Sequence, residues 1–442
     1  MDLRSAVADS DLTTLRVQYD WRVDRFGLTL AREWDDGVDF SRYARDFAAD
    51  QVPCREPRAL GDEAARALLA EGGATEALAR LETLMRAGRH EMIVLKVHRA
   101  LGICACNHIH SSVLGFNNGH HAIRAGGIRR HDPHEPEHEV LVDGLNLGRA
   151  MSFKNAGARI PFGGCKMTVR CEPFELDDEP RLGFVAYCID SGYFFTGPDM
   201  GFSPELADAL RARYTHNIVG GPGGALGPTG TPTARGTFLA IQEAARVAWG
   251  GGLEGRSAAV QGLGAVGLPL AKLLAEAGMK IVAADRDEAR LQAAKLGVGA
   301  IQVVSPEEIL RSECDLLAPC AIGGVLDAGA IDQLRCRMVY GSANNQLAAV
   351  SQDEEVALAE RLAAREILYQ PDWTHNTAGV MAGWEEYLHQ ADAQLSRIEP
   401  HLLRVCEEGT RELLAEHRRT GKTPTALAYA QVERLIYPDS IS

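Results

Sequence analysis

Two lysines, Lys154 and Lys166, stand twelve residues apart in the stretch MSFKNAGARIPFGGCK, Met151 to Lys166, with a Pro-Phe-Gly-Gly loop just before the second. Before them, Val140, Leu147, Met151 and Lys154 fall at offsets 0, 7, 11 and 14, one face of a 3.6-period helix over Glu139 to Phe153. That spacing predicts Lys154 on the buried face, where an ammonium is costly unless something anionic meets it, and a substrate carboxylate is a natural partner. The alternative is a lysine snorkelling at a helix end. Asp199 follows in the loop Phe195-Thr-Gly-Pro-Asp-Met-Gly201, where Gly197 and Pro198 can present a carboxylate at a fixed angle; taken alone it also fits a turn or cap aspartate.

A second set of groups suits a dinucleotide. An apolar run, SAAVQ, leads into Gly262, Gly264 and Gly267 in Gly-x-Gly-x-x-Gly spacing, then the helical stretch LPLAKLLAEAG, and then KIVAA ending in Asp285. Strand, glycines, helix, second strand and terminal acid form the dinucleotide fingerprint with its physical context. The glycines let a pyrophosphate approach backbone at a helix N-terminus, and Asp285 accepts from ribose hydroxyls. Asp285 repels a 2′-phosphate, which favours NAD over NADP, although Arg286 and Arg290 leave NADP open.

The elements that must position these groups can be read from the chain. Its 442 residues set a prior of roughly three domains. Residues 1–88 are helix-favouring and read as an N-terminal helical extension; 89–225 read as a substrate-binding and oligomerisation domain, 226–380 as a Rossmann domain, and 381–442 as C-terminal helices returning to the substrate domain. MIVLKV and ALGICACNHIHSSVLGF predict adjacent strands. Gly126 and Gly127 permit close backbone approach or an ordinary turn. GGPGGALGPTGTP marks the strongest break. Later β-like runs, AIQVV, DLLAPCA, MVYGSANN and ILYQPDW, alternate with helical segments and predict an open, mostly parallel sheet, with Asn344 and Asn376 at its ligand-binding rim.

Composition excludes several classes. A net charge of −14 argues against nucleic acid or an anionic membrane surface. The opening MDLRSAVADSDL has no apolar leader, and no run of about 18 apolar residues occurs, so a cytoplasmic protein is expected. The ten cysteines are scattered and read as reduced core residues. Cys104, Cys106, His108 and His110 alternate along one strand, but four such residues span about 20 Å, too far to close around one ion, so no metal is expected. His120, His121, His131, His134 and His138 read as a solvated loop.

With these residues assembled, the chain resembles the glutamate, leucine, phenylalanine and valine dehydrogenase superfamily, and its leucine, phenylalanine and valine branch most. The resemblance runs from about Glu91 to Tyr437 and is carried by GGIRRHD, LGRAMSFKNA, PFGGCK, TGPDMG, PTARG, VQGLGAVG, CDLLAPCAIGGVLD, GSANNQL and PDWTHNTAGV. It implies a two-domain α/β fold, a substrate domain plus a Rossmann NAD-binding domain, and a homo-oligomer. It also implies that Lys154 binds the substrate α-carboxylate, that Lys166 is the catalytic lysine and Asp199 the catalytic acid, and that Thr233, Asn344 and Asn376 line the nicotinamide side.

The implied reaction is NAD-dependent oxidative deamination of an L-amino acid, reversible as reductive amination. Glutamate members carry a lysine where this chain has Ala125; with Gly197 also small, a hydrophobic substrate, aromatic included, is expected, contacting Gly126 and Gly127. Cys165, where Gly or Ala is usual, and the run His375-Asn376-Thr377-Ala378 depart from the pattern. Cys165 is therefore expected to touch the chemistry. These departures leave two alternatives: an unusual amine or β-hydroxy amino acid of secondary metabolism as substrate, or a non-catalytic NAD-responsive binding protein. Extra residues also occur around Phe116 to His121.

Overall fold

The computed structural model describes residues 1–115 and 122–438. The chain divides into two units, one comprising residues 1–156, 160–227 and 434–442, the other 157–159 and 228–433. The loop expected at Phe116 to His121 lies outside the described residues.

The first unit is built on an eight-stranded mixed sheet of order β3-β2-β1-β4-β5-β7-β6-β8. Its strands are β1 (Thr14–Asp20), β2 (Arg25–Arg32), β3 (Arg58–Leu60), β4 (Met92–His98), β5 (Ile103–Ser111), β6 (Arg124–His131), β7 (Gly163–Arg170) and β8 (Phe194–Gly197). Helices α1 (Leu3–Asp9), α2 (Asp62–Glu71), α3 (Thr75–Gly88) and α4 (Glu137–Gly157) cover one face, and α5 (Glu179–Asp190) and α6 (Pro204–Arg213) the other.

The N-terminal extension is not a helical appendage. Residues 14–60 supply three strands of the sheet; α2 and α3 occupy the stretch whose composition is helix-favouring, whereas TLRVQYD alternates buried and exposed positions and pairs with both β2 and β4. A strand bonded to partners distant in sequence is set by those partners more than by local propensity.

Helix α4 carries Glu137 and Glu139 in its first turn and Lys154 in its last, charges that suit the two ends of a helix. It meets the sheet through small residues. A methyl at Gly144 would strike the His108 ring, and one at Gly148 would sit 2.6 Å from the His108 carbonyl oxygen. The buried seam therefore runs through Gly144, Gly148 and Ser152, and the expected buried face at Leu147, Met151 and Lys154 is a flanking, half-buried stripe.

The second unit holds a six-stranded, all-parallel sheet of order β11-β10-β9-β12-β13-β14. Its strands are β9 (Ser257–Gln261), β10 (Lys280–Ala284), β11 (Ile301–Val303), β12 (Leu316–Pro319), β13 (Met338–Val339) and β14 (Leu368–Tyr369). Helices α7 (Gly230–Trp249), α8 (Gly267–Glu276), α9 (Glu288–Val298), α10 (Ala328–Gln333) and α11 (Gln352–Ala364) sheathe the two faces. This is the doubly wound Rossmann arrangement, whose order reverses between β9 and β12. Helices α12 (Ala378–His389), α13 (Leu395–Leu402), α14 (Gly409–Thr420) and α15 (Pro424–Ile436) follow. They pack within this second unit up to Glu433, and only residues 434 onward join the first, so the expected return of the whole tail is confined to its last turn. No described helix is long and apolar enough to cross a membrane.

Candidate active site

In the first unit, adjacent strands β6 and β7 bring several charged side chains together. Along β7, side chains alternate: Cys165, Met167 and Val169 enter the core shared with α5, while Lys166 points the other way, toward α4. Cys165 therefore does not touch the chemistry as expected. Its thiol is buried, pushed up to about 12 by that burial, and only its carbonyl approaches β6, where a methyl at Gly126 would collide with it.

Lys166 Nζ donates to Asp199 Oδ2. Asp199 sits just past β8 in a tight turn closed by its pairing with Phe202, and its other oxygen accepts from the Met200 N–H at 2.7 Å. Gly127 lies against the pair: a methyl there would be 2.7 Å from Asp199 Oδ2 and 2.8 Å from Lys166 Nζ. The paired glycines are thus strand residues that allow close approach, not a turn. Ala125 is buried in the same strand, and a methyl at Gly197 would sit 2.8 Å from the Val219 carbonyl oxygen.

Arg129 and Asp143, which sequence reasoning did not single out, and His131, which it read as part of a solvated loop, complete the cluster. Arg129 NH2 is 3.7 Å from Asp199 Oδ1, and Arg129 NH1 donates to both oxygens of Asp143, at 3.0 and 3.2 Å. His131 Nε2 is 3.3 Å from Asp143 Oδ2, and His131 Nδ1 is 3.0 Å from Glu135 Oε2. His131 is buried at the end of β6 rather than solvated in a loop. Two signals were available: Gly127, Arg129 and His131 are alternate residues of one strand, and Asp143 lies on the stripe of Leu147, Met151 and Lys154.

Electrostatics follow from this crowding. Burial, then the Arg129 guanidinium, pulls the Lys166 amine down to about 7, with Asp143 acting in the opposite sense. Burial opposes charge on Asp143, yet His131, Arg129 and Lys166 hold its carboxyl below the usual range. An amine near neutrality beside a carboxylate can take up and release protons at working pH.

In the second unit, the glycine loop follows β9. Gly262 has φ +90, and a methyl there would meet Ala321 Cβ at 2.7 Å; one at Gly267 would strike the Gly262 carbonyl. Gly264 leaves open space as far as the Arg290 guanidinium, 3.7 Å away. No side chain caps the start of α8, so its first N–H groups suit an anion. Asp285 ends β10 and accepts from the Leu263 N–H at 2.7 Å and the Asp287 N–H at 2.9 Å. Burial works against its charge, and those N–H groups with Arg290 hold it below the usual carboxylate range. The cradle and its acid fit a dinucleotide's pyrophosphate and ribose.

Around this loop, Thr233 is buried in the first turns of α7 and donates to the Thr229 carbonyl at 2.8 Å. A methyl at Gly236, one turn on, would sit 3.2 Å from the His375 carbonyl. Asn376 donates to the Ser342 carbonyl at 2.7 Å and to Asn344 Oδ1 at 3.0 Å, so the two asparagines form one bonded pair.

Residues 223–294 match the Glutamate/Leucine/Phenylalanine/Valine dehydrogenase family. The phenylalanine dehydrogenase of Thermoactinomyces intermedius is 36% identical over 302 residues, 66% of this chain and 77% of that protein. The chain belongs to the glutamate/leucine/phenylalanine/valine dehydrogenase family. Within that family the leucine dehydrogenase of Thermoactinomyces intermedius is 32% identical over 333 residues, covering 73% of this chain and 86% of that one. The crystal structure of L-tryptophan dehydrogenase from Nostoc punctiforme superposes with a TM-score of 0.69 at 28% identity, covering 81% of this chain and 99% of that chain. As a member of this family the chain is an amino acid dehydrogenase, an oxidoreductase acting on a CH–NH2 group, and the non-catalytic alternative falls away.

Proposed function

We propose that this amino acid dehydrogenase uses NAD to deaminate a hydrophobic L-amino acid, aromatic side chains included, to the 2-oxo acid and ammonia, and runs reversibly as a reductive aminase. The observation that carries the reading is the Lys166–Asp199 pair, whose buried amine is held near neutrality by burial first and by the Arg129 guanidinium second. When bound, oxidised nicotinamide supplies the acceptor for the hydride that leaves the substrate α-carbon. The chain's own residues do the rest. Lys154 holds the α-carboxylate from the last turn of α4. Asp199 takes a proton from the substrate amine, so that its lone pair can form the carbon–nitrogen double bond as hydride departs. Neutral Lys166 then removes a proton from a water attacking the imine carbon; Asp199 returns its proton to nitrogen, and as ammonia leaves the freed Asp199 carboxylate takes the hydroxyl proton so that the carbonyl forms.

In this reading Gly262, Gly264, Gly267 and Asp285 hold the dinucleotide, with Thr233, Asn344 and Asn376 on its nicotinamide side. Asp285 favours NAD over NADP. Buried Ala125 offers no cation to a side-chain carboxylate, and Gly126, Gly127 and Gly197 would contact the substrate through backbone, with Gly127 directly against Lys166 and Asp199. That similarity extends to enzymes named for phenylalanine and tryptophan supports the aromatic preference. A homo-oligomer acting in the cytoplasm completes the proposal. The unusual-amine alternative loses its main motive, since Cys165 faces the core. A panel of aliphatic, aromatic and acidic L-amino acids, followed by NADH absorbance and repeated with NADP, tests the reading. Turnover with hydrophobic substrates and NAD is expected; activity confined to glutamate would contradict it.

A further inference from the structure

Beyond the pair that does the chemistry, a line of charges leads away from it and ends on a histidine that touches neither Lys166 nor Asp199. It runs from Asp199 to Arg129 at 3.7 Å, from Arg129 to Asp143 at 3.0 Å, and from Asp143 to His131 at 3.3 Å. We propose that His131 is a positioning residue for the deamination: by opposing the Asp143 carboxylate, it sets the balance of charge around Lys166. The inference rests on Lys166 being the reactive amine.

The groups around His131 make it a switchable charge. Asp143 faces it from α4, Glu135 from the loop before that helix, His108 from β5, and the buried Arg170, its register partner, from β7; Arg129 shares its strand, and Arg130 NH1 donates to its carbonyl oxygen at 3.3 Å. Burial works against a charged imidazole here, and the Asp143 and Glu135 carboxylates overcome it, raising its proton affinity above the ordinary value.

The sign of its influence follows from its neighbour. Asp143 favours the protonated form of Lys166, while Arg129 disfavours it. A protonated His131 offsets part of the Asp143 field, leaving Arg129 to dominate and Lys166 easier to deprotonate. Removing the imidazole therefore leaves Asp143 less opposed and makes Lys166 harder to deprotonate. Removing the Asp143 charge does the reverse. A residue that merely tied β6 to α4 would alter thermal stability without producing shifts of opposite sign.

The test is kcat for oxidative deamination against pH, on the full chain with saturating NAD and the best amino acid of the panel, for the native protein, His131→Gln and Asp143→Asn. The rising limb reports the neutral amine. Its midpoint should move up by at most about one pH unit in His131→Gln and down by a similar amount in Asp143→Asn. Glu135→Gln, at a half-exposed position, should move it upward by less, and it serves if His131→Gln fails to fold. Limbs that superimpose on the native curve, or that move in the same direction in both variants, would overturn the proposal. So would loss of turnover at every pH with unchanged melting, since that would place His131 in the reacting machinery. Full turnover in Lys166→Ala would instead sink the reading of Lys166, a result none of the other variants can mimic.

Discussion

The two units build their sites from opposite materials. In the first, the site consists of side-chain charge: Lys166, Arg129, Asp143 and His131 come from two neighbouring strands and one helix, and Asp199 from the turn after β8. In the second, it consists of absent side chains, with Gly262 and Gly267 too crowded for a methyl and Gly264 facing open space. Charge sites are tuned by any neighbour that alters the local field, so their function is spread over several residues. A glycine loop works by leaving backbone N–H groups accessible, so its function is concentrated in three positions. The first kind should respond to charge and pH, and the second to volume.

The largest expected effect sets the two side by side. Lys166→Ala removes the amine without filling space, and turnover should fall by about 10³-fold or more. NAD affinity, read by fluorescence titration, should be unchanged. Gly262→Ala does the converse. Alanine is strained at φ +90, and its methyl would lie 2.7 Å from Ala321 Cβ, so the loop must shift. NAD affinity should drop by about 10²-fold, while Lys166 keeps its proton affinity. If Lys166→Ala weakened NAD binding as much as Gly262→Ala does, the division of labour would be wrong.

Acid should separate the units next. The first holds His90, His108 and His110 fully buried; burial drives His108 and His110 down to about 3 and His90 well below its ordinary value. These rings stay neutral in the folded chain while the unfolded chain binds protons below about 6.5. The unfolded state therefore holds more protons between roughly pH 6.5 and 3, and stability falls as pH drops through that window. His108 and His110 each contribute about 1.4 kcal/mol per pH unit within it, and His90 acts in the same direction. Hydrogen exchange at pH 4.5 should show β5 losing protection before β9; the reverse order would break the comparison.

Much of this contrast was legible in the sequence, for a physical reason. The glycine loop is local: strand, glycines, helix and acid lie within 30 consecutive residues, and each position's requirement is written in its own residue type. The lysine site was legible only in part. Lys166 and Asp199 could be named, but Arg129, Asp143 and His131 act across strands and a helix whose register the sequence does not fix. The helical stripe itself was rotated, because glycines let α4 sink onto β5 along Gly144 and Gly148, a packing choice that hydrophobic periodicity does not encode. The N-terminal strands were missed for the same reason, since β1 acquires its meaning from β2 and β4.

Cys165 provides the smallest and sharpest test of how a residue next to Lys166 can stay outside the proposed chemistry. Consecutive strand residues face opposite ways, so one step along β7 carries a side chain from the charged cluster into the core with Met167 and Val169. Its thiol, pushed up to about 12 by burial, is neutral at working pH and serves as a small apolar group. Cys165→Ala should leave kcat, KM and the pH profile unchanged and lower stability by about 1 kcal/mol through the lost sulfur contacts. Denaturant melts and the same NADH assay give both numbers. A change in the rising limb of the pH profile at unchanged stability would show that the thiol is felt by Lys166 through the backbone, and that the two faces of β7 are less separate than the alternation of its side chains makes them.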